Sequence, residues 1–214
     1  ELAGWVQERG CVTLETTVAE DDEASLAWTD RRGFREIGRT SRMVLDLTAI
    51  EAPAIDPPDG VEIVSWGERP DLSPALYEVA CEAYPDVPGE EDSHMFAYEE
   101  WLSKDMGGDG DRPEATFIAL AGGEVAGYAK LSLSSADAKT AFHDMTGVRR
   151  AFRGRGIAGA LKRAEIAWAK EAGYESLETN NDLRNKPIPR LNNRHGYKAH
   201  PGVVVLHESL AGID

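Results

Sequence analysis

The chain has 214 residues, which is enough for one large domain or one and a half ordinary ones. Its formal net charge of −15 repels a phosphate backbone over most of the surface and argues against general nucleic-acid binding. No stretch approaches the roughly 18 apolar residues of a membrane span. The two cysteines, Cys11 and Cys81, suggest neither a disulfide framework nor a metal site, so we expect a reducing, cytoplasmic setting and no metal.

The first part of the chain resembles its last part at a constant offset of 163 positions. This offset pairs Gly10 with Gly173, Leu14, Glu15 and Thr16 with Leu177, Glu178 and Thr179, and Gly33 with Gly196. Matches at turn glycines and apolar positions together predict a tandem duplication. Residues 1–50 are then the C-terminal part of an amino-terminal domain, residues 51–60 a proline-rich linker, and residues 61–214 a complete second domain. Either a longer parent protein supplies the rest of the first copy, or this half-domain packs on something else.

In the complete copy, strands and helices follow in the order β, α, α, β, β, β, α, β, α, β, β. Strands are predicted at 61–66, 115–120, 125–134, 141–148 and 176–180, with a final pair at 197–200 and 203–209, and helices at 73–84, 94–106, 157–173 and 189–195. The long helix has one apolar stripe of Ile157, Leu161, Ala164 and Trp168. The order predicts an α/β (α+β) fold with a mixed, mostly antiparallel central sheet flanked by helices.

A glycine-arginine turn, RGRGIA at 153–158, joins a predicted strand directly to the long helix. The first turn of a helix has unpaired backbone N–H groups and a partial positive charge, so it suits an anion. Gly154 and Gly156 remove side chains where a phosphate would approach, and Arg153 and Arg155 add positive charge. The turn therefore predicts a diphosphate site, with water-facing arginines as the structural alternative. Its spacing fits neither a Walker loop nor a dinucleotide fingerprint.

The spacing of Arg153, Gly156 and Ala158 resembles the pyrophosphate loop of the GCN5-related N-acetyltransferases, the GNAT family. The resemblance covers residues 61–210, and residues 1–47 look like the later half of another such domain, as in tandem members similar to mycothiol synthase. It implies acetyl-CoA as the co-substrate. The residues implied to wrap its pyrophosphate are Arg153, Gly154, Arg155, Gly156, Ile157, Ala158 and Gly159, and those implied to contact its pantetheine arm are Thr146, Gly147, Val148 and Asn185.

Acetyl transfer from a thioester to an amine needs a base for the amine and a proton for the leaving thiolate. Asp144 matches a base position of some relatives, and we expect it on the same strand face as Val148, with His143 on the opposite face. A carboxylate paired with a basic neighbour is the structural alternative for Asp144. Asn192 stands where many relatives have a tyrosine proton donor; asparagine can donate a hydrogen bond to sulfur but cannot release a proton. Tyr197 is expected in the core.

The acceptor is expected between the two early helices and the sheet, where acidic and aromatic residues would favour a cationic primary amine of a small molecule or peptide. These residues are Tyr84, Asp86, Glu90, Glu91, His94 and Trp101. The leading hypothesis is an acetyl-CoA-dependent N-acetyltransferase. Its alternatives are a non-catalytic CoA-binding module and a structural α/β domain that binds nothing. The first copy lacks such a turn and is expected to bind no cofactor, and the oligomeric state, a homodimer included, stays open.

Overall fold

The computed structural model describes residues 10–88, 95–133 and 137–210. The sequence predictions on residues 1–9, Glu90, Glu91, His94 and residues 211–214 lie outside these ranges. The elements in chain order are β1 (Thr13–Ala19), α1 (Glu23–Asp30), β2 (Arg35–Asp46), β3 (Val61–Ser65), α2 (Ser73–Ala83), α3 (Tyr98–Lys104), β4 (Asp111–Ala121), β5 (Glu124–Leu133), β6 (Thr140–Val148), α4 (Ile157–Glu171), β7 (Ser176–Asp182), α5 (Pro187–Arg194) and β8 (Lys198–Ser209). None of the described helices is both long and apolar enough to cross a membrane.

The chain forms two compact units. The first draws on the residues up to Met43, Asn180–Pro189 and the residues from Lys198 onward, and the second comprises Val44–Thr179 and Arg190–Tyr197. In the second unit the strands follow the order β3-β4-β5-β6-β7, antiparallel throughout except between β6 and β7. The predicted mixed, mostly antiparallel sheet is therefore confirmed.

The second unit packs helices on both faces of this sheet. Because side chains alternate along a strand, Ile118 and Leu120 of β4 join the core under α2 and α3, whereas Phe117 and Ala119 join the core under α4. The predicted stripe of α4 faces this second core: Ile157, Leu161 and Ala164 are at most 1% exposed, and Trp168 packs beside them. Each such large side chain stabilises the fold by roughly 1.5–3 kcal/mol.

The first unit corrects one prediction: the final strand pair is a single strand, β8. Pro201 and Gly202, which lie between the two predicted strands, are both part of β8. Gly202 exchanges two hydrogen bonds with Glu20, its N–H donating to the carboxylate at 2.9 Å and its carbonyl accepting from the Glu20 N–H at 3.0 Å. A Cβ at residue 202 would lie 1.9 Å from the Thr40 carbonyl oxygen, so glycine permits a close approach that keeps the strand continuous. β8 pairs antiparallel with β1, from Thr13 opposite Ser209 to Ala19 opposite Val203.

Element limits repeat along the chain at the offset seen in the sequence. β1 and β7 begin and end 163 positions apart, and so do β2 and β8. The glycines that follow or precede them behave alike: Gly10 and Gly173 have φ of +76° and +88°, and Gly33 and Gly196 have φ of +84° and +87°. The predicted domain limits at 1–50, 51–60 and 61–214 stay predictions.

Candidate functional site

Helix α4 begins directly after the glycine-arginine turn. Gly154 and Gly156 both adopt the left-handed region, with φ of +76° and +86°, and Gly156 is the N-cap residue. A glycine cap has no side chain to offer, so the first N–H groups of α4 receive no side-chain capping bond there. This geometry leaves donors directed out of the helix start, as an anion site requires.

A cleft of about 420 Å³ lies at this helix start. Seven of its lining residues were predicted to bind the cofactor: Val148, Arg153, Gly154, Gly156, Ile157, Ala158 and Gly159. The sequence reasoning missed five others: Phe152, Arg163, Leu191, Arg194 and His195. Arg163 could have been found, because it stands four residues after Gly159 and therefore on the same helix face. Leu191, Arg194 and His195 come from α5 and the residue after it, and no local signal places them beside α4.

The cleft is electropositive although the protein carries a large negative charge. Three arginines line it: Arg153, Arg163 and Arg194. Arg153 donates from Nε to the Val148 carbonyl at 2.9 Å and forms an ion pair with Asp86 at 2.6 Å. Arg163 donates to two carbonyls of the proline-rich linker, those of Ile55 at 2.6 Å and Asp56 at 2.7 Å. These bonds hold the two guanidinium groups in fixed positions before any ligand arrives.

His195 adds a titratable group to the same cleft. Burial, followed by the charge of Arg163 and other cations, lowers the pKa of His195 below its usual value of 6.5. Its imidazole is therefore neutral at physiological pH. A phosphate placed among these cations would have the opposite effect on its pKa.

Four residues predicted to bind the cofactor do not line this cleft: Thr146, Gly147, Arg155 and Asn185. Arg155 instead donates to the Ala151 carbonyl at 3.0 Å and lies over the ring of Phe152. Asn185 belongs to the first unit, where its side chain accepts from the Ile188 N–H at 3.4 Å at the start of α5. Their contacts with a cofactor stay predictions.

Strand β6 carries a β-bulge at Asp144. His143 pairs with Leu131 and Met145 pairs with Lys130, so Asp144 is an extra residue without a partner on β5. Asp144 and Met145 consequently lie on the same side of the sheet, facing α2 and α3. Asp144 contacts Lys130, and Met145 packs on the core under these helices. Val148 faces α4 on the other side. The expectation that Asp144 and Val148 share a face is therefore wrong, because counting in twos fails across a bulge. A catalytic role for Asp144 is a separate question and stays a prediction.

His143 lies on the α4 face, in a fully buried polar cluster. Its Nδ1 is 3.0 Å from the Glu165 carboxylate, and its Nε2 makes a short hydrogen bond with the hydroxyl of Tyr197. Lys162 of α4 is also buried beside the Tyr197 ring. The core position predicted for Tyr197 is confirmed, since it is 3% exposed.

The remaining predicted residues have varied surroundings. The side chain of Asn192 is completely buried and is not part of the cleft lining, so its contact with the thiol of the cofactor stays a prediction. Trp101 is completely buried in the core and cannot line an acceptor site. Asp86 forms ion pairs with Arg150 at 2.8 Å and Arg153 at 2.6 Å, which together hold the pKa of its carboxyl below 3.8.

Within the described ranges, no three metal-ligating side chains come together.

Fold and site together define an α/β protein with an arginine-lined cleft at the start of α4. The model of the acetyltransferase (GNAT) family matches residues 73–197, more than half of the chain. The chain therefore belongs to the GNAT family. No curated protein sequence matches it.

Solved structures show the same fold. A GCN5-related N-acetyltransferase from Sphaerobacter thermophilus is 24% identical with a TM-score of 0.78, over 99% of this chain and 66% of that one. A tandem GNAT protein from the clavulanic acid biosynthesis pathway, solved without acetyl-CoA, is 20% identical with a TM-score of 0.75, over 99% and 68%. A GCN5-related N-acetyltransferase from Kribbella flavida is 15% identical with a TM-score of 0.58, over 91% and 68%. The chain thus spans about two thirds of the length of these structures.

Proposed function

We propose that this protein is an acetyl-CoA-dependent N-acetyltransferase that moves an acetyl group directly to a primary amine of a small molecule or peptide. The observation that carries the proposal is the cleft at the start of α4, where glycines 154 and 156 clear the approach and three arginines supply positive charge. Acetyl-CoA would supply the reactive thioester.

The residues present fit a diphosphate. Unpaired N–H groups at the helix start can each donate to a phosphate oxygen, and Arg153 and Arg163 can add charge-assisted hydrogen bonds. Two or three such bonds, at about 1.5–3 kcal/mol each, are sufficient to anchor the cofactor. In the part of this unit that the structure describes, the end of β6 near the cleft has a free edge, which supports the same site. Strands β6 and β7 pair over only three residue pairs, Thr140–Phe142 with Ser176–Glu178. Beyond Phe142, β6 pairs only with β5 among the described residues of this unit.

A non-catalytic CoA-binding module is the second candidate. It is favoured by Asn192, which is fully buried and stands where many relatives have a tyrosine proton donor. Asparagine cannot supply a proton to a thiolate, so turnover would need water or another acid.

Release of free thiol from acetyl-CoA in the presence of an amine panel distinguishes the two. The acetyltransferase proposal expects thiol release that depends on both the amine and the protein. Acetyl-CoA binding without thiol release by any amine would favour the module, and the absence of binding would contradict both.

We also propose that residues 1–50 are the C-terminal part of an amino-terminal GNAT-like domain, followed by a linker at 51–60 and a complete domain at 61–214. The equal limits of β1 and β7, and of β2 and β8, at an offset of 163 support this arrangement. A cytoplasmic location, for which the cysteine usage is the motive, and the absence of membrane partners remain part of the proposal. The absence of nucleic-acid partners is supported by the charge of −15. Light scattering would determine whether the protein forms a homodimer.

A further inference from the structure

The face of the second unit that carries α2 and α3 holds a group of charged side chains that the cofactor cleft does not use. Its centre is Lys130 of β5, whose side chain is 2% exposed. We call this group the Lys130 cluster; its members are Lys130, Asp105, Asp111, Asp144, Tyr84 and Tyr128.

Lys130 is shared between two of the three carboxylates. Its Nζ lies 2.8 Å from Asp144 Oδ2 and 3.1 Å from Asp111 Oδ1, and it also donates to the backbone carbonyl of Asp105. Asp111 further accepts from the Gly108 N–H at 2.9 Å. Lys130 thus supplies one positive charge to two carboxylates, those of Asp144 and Asp111. The third carboxylate of the cluster, Asp105, adds to the excess of negative charge.

That third carboxylate is Asp105, at the C-terminal end of α3. It makes no ion pair with any described residue: Oδ1 accepts from the Tyr84 hydroxyl at 3.3 Å, and Oδ2 is buried without a hydrogen bond of normal geometry, although an interaction with the Trp101 indole lowers the pKa of the carboxyl. Burial raises the pKa of Asp105 above its usual value of 3.8, although the charge of Lys130 opposes the shift. A buried carboxylate without a cation is costly, so the site favours an incoming positive charge or a proton.

Tyr128 provides an independent observation at the same place. It is completely buried, and its hydroxyl has no hydrogen-bond partner in the part of the chain that the structure describes. Burial raises the pKa of Tyr128 well above 10.0, and Asp105 is the next contributor to that shift. The hydroxyl therefore stays neutral and can accept a hydrogen bond from an ammonium group.

The cluster adjoins the strand that the proposed function assigns to the cofactor. A Cβ added at Gly147 of β6 would lie 3.0 Å from the Cβ of Ala83, so the end of α2 packs directly on β6, and Tyr84 follows Ala83. The cluster also reaches solvent, because the Asp144 side chain is 45% exposed. An acceptor could thus enter from solvent next to β6.

We propose that Asp105 binds the ammonium group of an aliphatic primary amine, the acetyl acceptor, and removes its proton before attack. This inference rests on the proposed acetyltransferase function. The ammonium gives one proton to the Asp105 carboxylate, and the resulting neutral nitrogen attacks the thioester carbonyl. A C–N bond forms, the C–S bond breaks, and the second proton lost by nitrogen neutralises the thiolate. Asp105 then returns its proton to solvent.

The test compares an aliphatic amine, which is protonated at neutral pH, with an arylamine, which is neutral and needs no prior deprotonation. In Asp105→Asn, kcat/KM for the aliphatic amine should fall about 100-fold or more, whereas the value for the arylamine should change less than about threefold. In the parent protein kcat/KM for the aliphatic amine should fall at acid pH as Asp105 becomes protonated, whereas in Asp105→Asn it should instead follow the fraction of neutral amine and rise with pH throughout the measured range. Tyr128→Phe should raise the KM for the aliphatic amine several-fold and leave kcat nearly unchanged. Asp71→Asn, an exposed carboxylate paired with Arg69, is the matched control and should behave like the parent protein.

Calorimetric titration of acetyl-CoA into each variant separates this inference from the proposed function. Unchanged acetyl-CoA affinity with selective loss of aliphatic-amine turnover supports Asp105 as the amine site. Equal turnover in Asp105→Asn and the parent, or a large loss in Asp144→Asn alone, overturns it while the acetyltransferase function stands. If the parent protein acetylates no amine at all, the proposed function itself fails.

Discussion

Arg153 is held between strand β6 and the cleft by the Val148 carbonyl and by Asp86. Its guanidinium is therefore positioned in advance, and a charge-assisted hydrogen bond to a phosphate costs little further ordering. Arg153→Ala should raise the Kd for acetyl-CoA about 10- to 100-fold, as measured by calorimetry. Arg69→Ala is the matched control, because Arg69 pairs with Asp71 at 2.7 Å, does not line the cleft and should change the Kd less than about threefold. Equal effects of the two substitutions would contradict the assignment.

His143 should make stability depend on pH. Burial, reinforced by the charge of Lys162, lowers the pKa of His143 below 6.5 in the folded state. Below pH 6.5 the unfolded chain takes up a proton that the folded protein resists, so the free energy of unfolding should decrease as the pH falls. The expected loss between about pH 7.5 and 5.5 is up to about 1.4 kcal/mol, measured by urea denaturation.

His143→Gln tests the origin of that pH dependence. Among the described residues, the other titratable groups that interact with His143 are Glu165 and Lys162 of α4 and His195 and Tyr197 after α5. The substitution should remove most of the loss assigned to His143, even if the variant is less stable at every pH. A pH dependence of the same size in the variant would show that other groups cause it.

At the scale of elements, the start of α4 depends on a left-handed glycine. Gly156→Ala should destabilise the protein by roughly 1–2 kcal/mol, because alanine is strained at a φ of +86°, and it should also weaken acetyl-CoA binding. Gly122, in the turn between β4 and β5 with φ of +62°, has nothing near its added Cβ and is the control. Gly122→Ala should cost similar stability in urea denaturation and leave the acetyl-CoA Kd unchanged. If both variants bind acetyl-CoA as tightly as the parent, the backbone of this turn does not hold the cofactor.

The types and order of the elements could largely be predicted from the sequence because their signals are local. The stripe of Ile157, Leu161 and Ala164 and the left-handed Gly173 after α4 follow from spacing alone. The bulge at Asp144 could not be predicted, since it depends on how β6 registers against β5. Neither could the Lys130 cluster, which joins residues of β4, β5 and β6 with Tyr84 after α2 and Asp105 after α3, far apart in the chain.

At the scale of the whole molecule, the chain should bind one acetyl-CoA. Residues 10–50 contain no counterpart of the Arg153, Gly156 and Ala158 pattern, and the first copy should therefore add no cofactor site. Calorimetry should give a stoichiometry near one, and Arg153→Ala should weaken that single site by the same factor as its Kd. A second site that survives Arg153→Ala would contradict the assignment of cofactor binding to the second copy alone.

The resemblance between the two ends of the chain was visible in the sequence because it rests on glycines and apolar residues at a fixed offset. The pairing of these segments was not visible: within the first unit, β1 pairs with β8. A strand pairing between distant segments is decided by tertiary packing, which no local pattern records. The net charge of −15 likewise does not reveal local charge, because the cleft at the start of α4 is lined by three arginines.

A crystal structure of the protein with acetyl-CoA should show the diphosphate within hydrogen-bonding distance of backbone N–H groups of residues 154–159 and of at least one of Arg153 and Arg163. Acetyl-CoA bound elsewhere, or a cleft that stays empty at saturating ligand, would contradict this prediction.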